Sequence, residues 1–196
     1  MDVKGGCMIV KNVLKNAVNY LGLTHLLNTN VFDGSGSVSD EEMAEINTLI
    51  NCLNLVVNQV ASEYFILKDK VKVNSVNGVI YYSQLSNKVV SDILNVKQLD
   101  HIVSYVCKAD RLETVPGVVE VEFAYQPGQV SSINETIDFS NYKLNERVLA
   151  YGVVAEYNFL YANYDDATIW DNRFKNSLSN LIRPRREIKI KQRLWV

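Results

Sequence analysis

Cysteine and histidine are scarce in this chain of 196 residues. There are three cysteines, Cys7, Cys52 and Cys107, and two histidines, His25 and His101. The cysteines are odd in number, lie far apart and form no Cys-x-x-Cys pair. That argues against a disulfide framework and against a zinc site, and leaves three small thiols in a reducing compartment as the expectation. Catalytic signatures are missing as well: there is no Gly-x-Ser-x-Gly, no glycine-rich phosphate loop and no His-Glu-x-x-His. No apolar run approaches the roughly 20 residues that span a bilayer. The segment after Met1-Asp2-Val3-Lys4 makes no signal peptide, because its apolar run is short and broken by Lys11 and Lys15. A net charge of −2 argues against a protein that binds nucleic acid with its whole surface.

What is present is an ordinary apolar share of 47% on a chain long enough to bury a core without staples. The length fits one domain with room for an inserted subdomain. Two patterns near the end define antiparallel helices. The first is Leu144 to Asn163, with Val148, Tyr151, Gly152, Ala155 and Phe159 on one face. The second follows directly, with Ala167, Trp170, Phe174, Leu178 and Ile182 recurring every three or four residues. Only Asn163 and Tyr164 separate them, so they should fold back on each other. Asp165 and Asp166 fall at the second helix's start, where carboxylates cap free amides and meet the positive end of the dipole.

Earlier in the chain, Met8 to Leu21 reads as a helix stopped by Gly22. Asn28 to Ser39 is a polar loop. Ser39 followed by Glu42 is a capping-box pattern opening a long helix from Asp40 to about Phe65. Its apolar stripe is Met43, Ile46, Ile50, Leu53, Val57, Val60 and Tyr64, flanked by Asn51, Asn54, Asn58 and Ser62. These polar residues read either as helix-edge positions or as an amide network set against Glu156.

From Lys70 the period changes from 3.6 to 2. Val71 to Val73 alternates, Asn77-Gly78 offers a tight hairpin turn, and Val79 to Tyr82 runs apolar. Val89 to Val96, Ile102 to Cys107 and Gly117 to Tyr125 are further strands. The last is the clearest, with Val119, Val121, Phe123 and Tyr125 on one face. The expected fold is therefore α+β: a bundle of about four helices, residues 8–66 and 143–182, with a small antiparallel sheet of four or five strands inserted over residues 70–126. Residues 1–182 form one domain in this reading.

After Ile182 the composition changes. Pro184 blocks further helix. Arg183, Arg185, Arg186, Lys189, Lys191 and Arg193 supply six positive charges against the single Glu187, interleaved with Ile188, Ile190, Leu194 and Trp195. Residues 183–196 read as an extended basic arm whose apolar side chains want a partner.

Other polar residues have plainer readings. His25 and His101 lack a nucleophile nearby in sequence. Glu156 stands on an apolar helix and needs a partner such as Arg147, Arg173 or another subunit. Of the eleven tyrosines, Tyr81, Tyr82, Tyr105 and Tyr125 fall in the sheet, and Tyr142, Tyr151, Tyr157, Tyr161 and Tyr164 around the helix from Leu144. Core packing explains most of them, and subunit contacts would fit equally well.

The run LINCLNLVVNQVASEYFILKDKVKV, then GVIYYSQLSNKVVSDILNVK, VVEVEFAYQP and NERVLAYGVVAEYNFLYANYDDATIWDNRFKNSL, ending in basic residues and RLWV, resembles the head-to-tail adaptor proteins of tailed phages. The resemblance covers residues 40 to 196 and rests on the order and texture of segments. It implies a virion protein of the neck, made in the host cytoplasm, that forms a ring of twelve copies below the portal. It implies the portal protein, other copies of itself and further tail or ring proteins as partners, DNA passing through the lumen without sequence recognition, and no cofactor, metal, membrane or catalysis. Residues 183–196 would dock on the portal, with Trp195 as apolar anchor and the arginines on portal carboxylates. The rival readings are another tail or neck structural protein, a nucleic-acid-binding accessory protein using the same arm, and an enzyme built on Glu156, His25 or His101.

Overall fold

A computed structural model describes residues 8–28, 31, 32, 38–139 and 144–182. Cys7, Tyr142, much of the 28–39 loop and all of the basic arm lie outside them. Among the described residues the fold is α+β, with five α-helices and antiparallel sheets.

A two-residue strand β1 (Met8–Ile9) leads into α1 (Val10–Leu21), so the first helix starts two residues later than its sequence suggests. It ends where Gly22 takes a left-handed φ of 71° and its amide returns to the last carbonyls. A short α2 (Thr24–Asn28), which the sequence did not announce, follows. The loop after it is less polar in effect than in composition, since Val31 and Phe32 are buried. The Ser39 hydroxyl then accepts from the Glu42 amide while the Glu42 carboxylate accepts from the Ser39 amide, closing the capping box that opens α3 (Asp40–Glu63).

Seven strands occupy the next stretch: β2 (Lys68–Ser75), β3 (Val79–Tyr81), β4 (Val90–Gln98), β5 (His101–Ile102), β6 (Val106–Cys107), β7 (Arg111–Glu113) and β8 (Gly117–Tyr125). They do not form one sheet, as expected, but two, ordered β2-β8-β4-β5 and β3-β7-β6. The Asn77-Gly78 turn is real: both residues have positive φ, and the Val79 amide bonds the Val76 carbonyl at 3.1 Å. A Cβ on Gly78 would lie 2.5 Å from the Thr114 carbonyl oxygen, so glycine is required there. The hairpin opens after that one bridge, however. β2 pairs along its whole length with β8, which sets Val71 and Val73 opposite Val121 and Val119, while β3 leaves to pair with β7. Leu112 and Ile80 from the three-stranded sheet and Val96, Val121 and Phe123 from the four-stranded one share a single apolar cluster. A last strand, β9 (Thr136–Ile137), pairs with β1.

The chain then returns to helix. Asn145 caps α4 (Glu146–Leu160), and α5 (Tyr164–Ile182) begins after three residues. Asp165 and Asp166 occupy its first turn, as the dipole favours. α5 is amphipathic as read, with Ala167, Phe174 and Leu178 buried and Trp170 half-buried, but Ile182 is exposed. α4 is not. Leu149, Ala150, Val153 and Val154 are buried along with Val148, Tyr151 and Ala155, while Phe159 is exposed. The helix packs on α1, α3 and α5 and is covered on several sides at once, so a single stripe underdescribes it. α3 likewise buries Leu49, Cys52 and Val56 beyond its expected stripe and leaves Met43 outside.

Asn54 decides where the segment after β8 lies. Its amide donates to the Val130 carbonyl at 2.9 Å and accepts from the Val130 amide at 2.8 Å. That closed pair replaces a strand partner for Val130 and ties residues 126–139 to α3. Backbone bonds from Val10 to Glu135 and from Lys11 to Ile133 tie the same segment to the start of α1.

Candidate functional site

The residues read as the partner-binding arm, Arg183, Arg185, Arg186, Ile188, Lys189, Ile190, Lys191, Arg193, Leu194 and Trp195, lie outside the described residues. The chain reaches them from the exposed C-terminal end of α5.

The polar candidates fall in separate places. His25 meets Glu45 at 2.7 Å, and the other oxygen of Glu45 accepts from the Tyr157 hydroxyl at 2.9 Å. Burial, then the Glu45 bond, pushes the Tyr157 phenol up from its ordinary value. His101 is exposed on β5, opposite Gln98. Glu156 lies on α4 with neither expected guanidinium. Arg147 donates to the Tyr20 hydroxyl at 3.1 Å, and Arg173 lies 4.4 Å from the centre of the Tyr151 ring and 5.2 Å from that of Trp170. Glu156 instead senses Asp171 and Lys175 of α5, which bond each other at 2.7 Å. Burial raises its carboxyl pKa, Asp171 adds to the rise and Lys175 opposes it. Burial, with a contribution from Glu156, lifts the Cys52 thiol to about 11. A thiol held that high is protonated and unreactive at neutral pH. Nor does α3 direct its asparagines at Glu156: Asn51, Asn58 and Ser62 are exposed, and Asn54 is engaged with Val130. No group of three metal-ligating side chains occurs among the described residues.

What the structure does assemble is apolar surface. One patch lies on the outer face of the four-stranded sheet. Lys72, Glu120, Lys97 and Ile102 are in register across β2, β8, β4 and β5. Val118 and Leu99 sit beside this row, and both border a groove of about 250 Å³ with Lys72 and Lys97. Leu99, at the β4–β5 turn, is 88% exposed, so its side chain gains almost nothing from its own fold.

A second patch is at the α4–α5 hairpin tip, where Phe159, Leu160, Tyr161, Tyr164 and Ile169 are exposed. The start of α3 joins it through the Glu45–Tyr157 bond, and Tyr157 stacks on Tyr161 with ring centres 4.7 Å apart. A third feature is aromatic and capped by cations: Tyr20, Tyr151 and Trp170 lie with ring centres 5.3–5.6 Å apart under the guanidinium groups of Arg147 and Arg173. Sequence reasoning found the tyrosines but not the last two groupings, because each joins residues more than a hundred positions apart. No protein-family model matches the chain, and no curated protein shows significant sequence similarity to it.

Proposed function

We propose that this chain is a structural subunit of a tailed-phage virion: a head-to-tail adaptor that forms a ring of twelve copies below the portal and leaves a lumen for DNA. One observation carries the reading. Large apolar side chains are left bare on two separate surfaces, the outer sheet face at Leu99, Ile102 and Val118 and the helical tip at Leu160, Tyr164 and Ile169. Two different sticky surfaces on one chain suit head-to-tail contacts between identical subunits, which close into a ring when the rotation permits.

The order of elements supports the same reading. Among the described residues all five α-helices lie outside residues 68–125, and the seven strands of the two larger sheets lie within them. We read this as a helical bundle carrying a β insertion, the architecture the resemblance implies. Residues 183–196 then dock on the portal. Trp195, Ile188 and Ile190 fill apolar clefts, and Arg183, Arg185, Arg186 and Arg193 pair with carboxylates, where a planar guanidinium forms two bonds at once.

The test is co-sedimentation with purified portal rings. The 196-residue chain should sediment with the portal, and a chain lacking residues 184–196 should keep its circular dichroism spectrum but stay in the supernatant. Undiminished binding by the shortened chain would sink the assignment of the arm.

A further inference from the structure

Two stretches of this protein carry charge almost wholly of one sign. The helical tip and the start of α3, residues 157–169 and 38–49, hold six carboxylates and no lysine or arginine. Glu42 is used in the capping box, and Glu45 is held by His25 and Tyr157. Asp40, Glu41, Asp165 and Asp166 are exposed, and none forms an ion pair among the described residues. The same helical tip bares Leu160, Tyr161, Tyr164 and Ile169, each more than half exposed. An apolar, aromatic face in a negative field calls for a segment that is both basic and apolar. Residues 183–196 have that composition: six positive charges, one negative, and Ile188, Ile190, Leu194 and Trp195 between them.

We propose that residues 183–196 of one copy dock on the acidic helical tip of a second copy. Reach and charge favour a second copy over the same chain. The 19 residues of α5 place Ile182 about 27 Å from Tyr164. Fourteen extended residues reach about 46–50 Å. Folding back along α5 consumes about eight of them and strands Arg183, Arg185 and Arg186 at the far end of the helix. Only a neighbouring copy can bring its acidic tip to Arg183, Arg185 and Arg186. The contact joins one end of α5 to the other end of its neighbour's, which is a heterologous interface. This inference goes beyond the portal reading. It describes the protein before a portal is met, and a portal that captures the arm must first displace it.

The experiment is sedimentation velocity on the full chain from about 1 to 100 μM, the range in which a micromolar contact shows. The expected result is a mass that rises above monomer with concentration and returns to monomer in about 1 M salt, where the screening length falls to about 3 Å. Asp165→Lys with Asp166→Lys should weaken association at least about tenfold, since like charges now face each other. Arg185→Gln, Arg186→Gln and Trp195→Ser together should do the same from the other side. If the lysine pair disturbs α5, Asp40→Asn with Glu41→Gln makes the same test from α3. Mixed together, the tip variant and the arm variant should form a one-to-one dimer, because one keeps its arm and the other its tip. A chain monomeric at every concentration, an association indifferent to these substitutions, or a mixture that stays monomeric would overturn the proposal. Failure to bind the portal alongside intact self-association would overturn the adaptor reading and leave this one standing.

Discussion

Gly152 of α4 faces Val56 of α3 and Phe174 of α5, and replacing it with alanine measures how tightly the three helices meet. A Cβ built there would lie 2.7 and 3.0 Å from the two methyl carbons of Val56 and 3.2 Å from a ring carbon of Phe174. Carbon atoms in contact prefer about 3.5–4.0 Å. Neither wall yields easily. Val56 is buried and β-branched, with one strongly preferred rotamer in a helix, and the Phe174 ring is equally buried. Overpacking of this kind costs about 1–3 kcal/mol, and the Val56 contact falls in the upper part of that range. Against it stands the helix propensity of alanine over glycine, about 1 kcal/mol. The net expectation is a loss of about 2 kcal/mol, or about 4–8 °C in Tm for a chain of this size. Calorimetry or a circular dichroism melt reads it directly. Adding Val56→Ala removes one wall, so the double variant should be less destabilised than the sum of the singles by about 1 kcal/mol or more. A Gly152→Ala protein that melts at or above the parent would refute the packing described for these three helices.

Other substitutions test other joints. Asn54→Leu leaves the Val130 amide and carbonyl without partners and should cost about 1–3 kcal/mol, with faster hydrogen exchange at Val130 as the local sign. Ser75 is buried with a hydroxyl that finds no partner among the described residues, so Ser75→Ala should be neutral or mildly stabilising in a denaturant titration. Glu156 has a raised pKa in the folded state, so its contribution is most favourable below the unfolded carboxyl value and is lost as pH rises through the folded one. Glu156→Gln should therefore raise Tm at pH 7, and the difference from the parent should shrink toward pH 4; a constant difference would show that ionisation is not the cause.

The elements with one wet face were legible in the sequence. α5 alternates cleanly between buried Phe174 and Leu178 and exposed Arg173 and Asn176, and β8 between buried Val119, Val121 and Phe123 and the half-buried Glu120 and Glu122. The capping box at Ser39 and the turn at Asn77-Gly78 were legible because their chemistry is local. α4 was read too narrowly because a helix packed on three others has no single stripe. β3, β6 and β7, at two or three residues each, are too short to show a period, and Ile102 to Cys107, read as one strand, divides between β5 and β6 in different sheets, so the second sheet went unseen. The hairpin partner of β2 was misassigned because a turn fixes which residues bend, while the inward valines of β2 and β8 decide which strands pair. The basic arm was plain from composition. The acidic tip was not, because it joins Glu45 to Tyr157 across 112 positions of chain.

The central claim is that this chain assembles as a ring on a portal. Mass photometry and negative-stain imaging of the protein, alone and mixed with the portal encoded alongside it, test that claim most directly. The account predicts closed rings, or added density at one end of the portal with a mass gain near twelve subunits. A protein that leaves the portal's mass and outline unchanged, at concentrations where it is folded and intact, would contradict it.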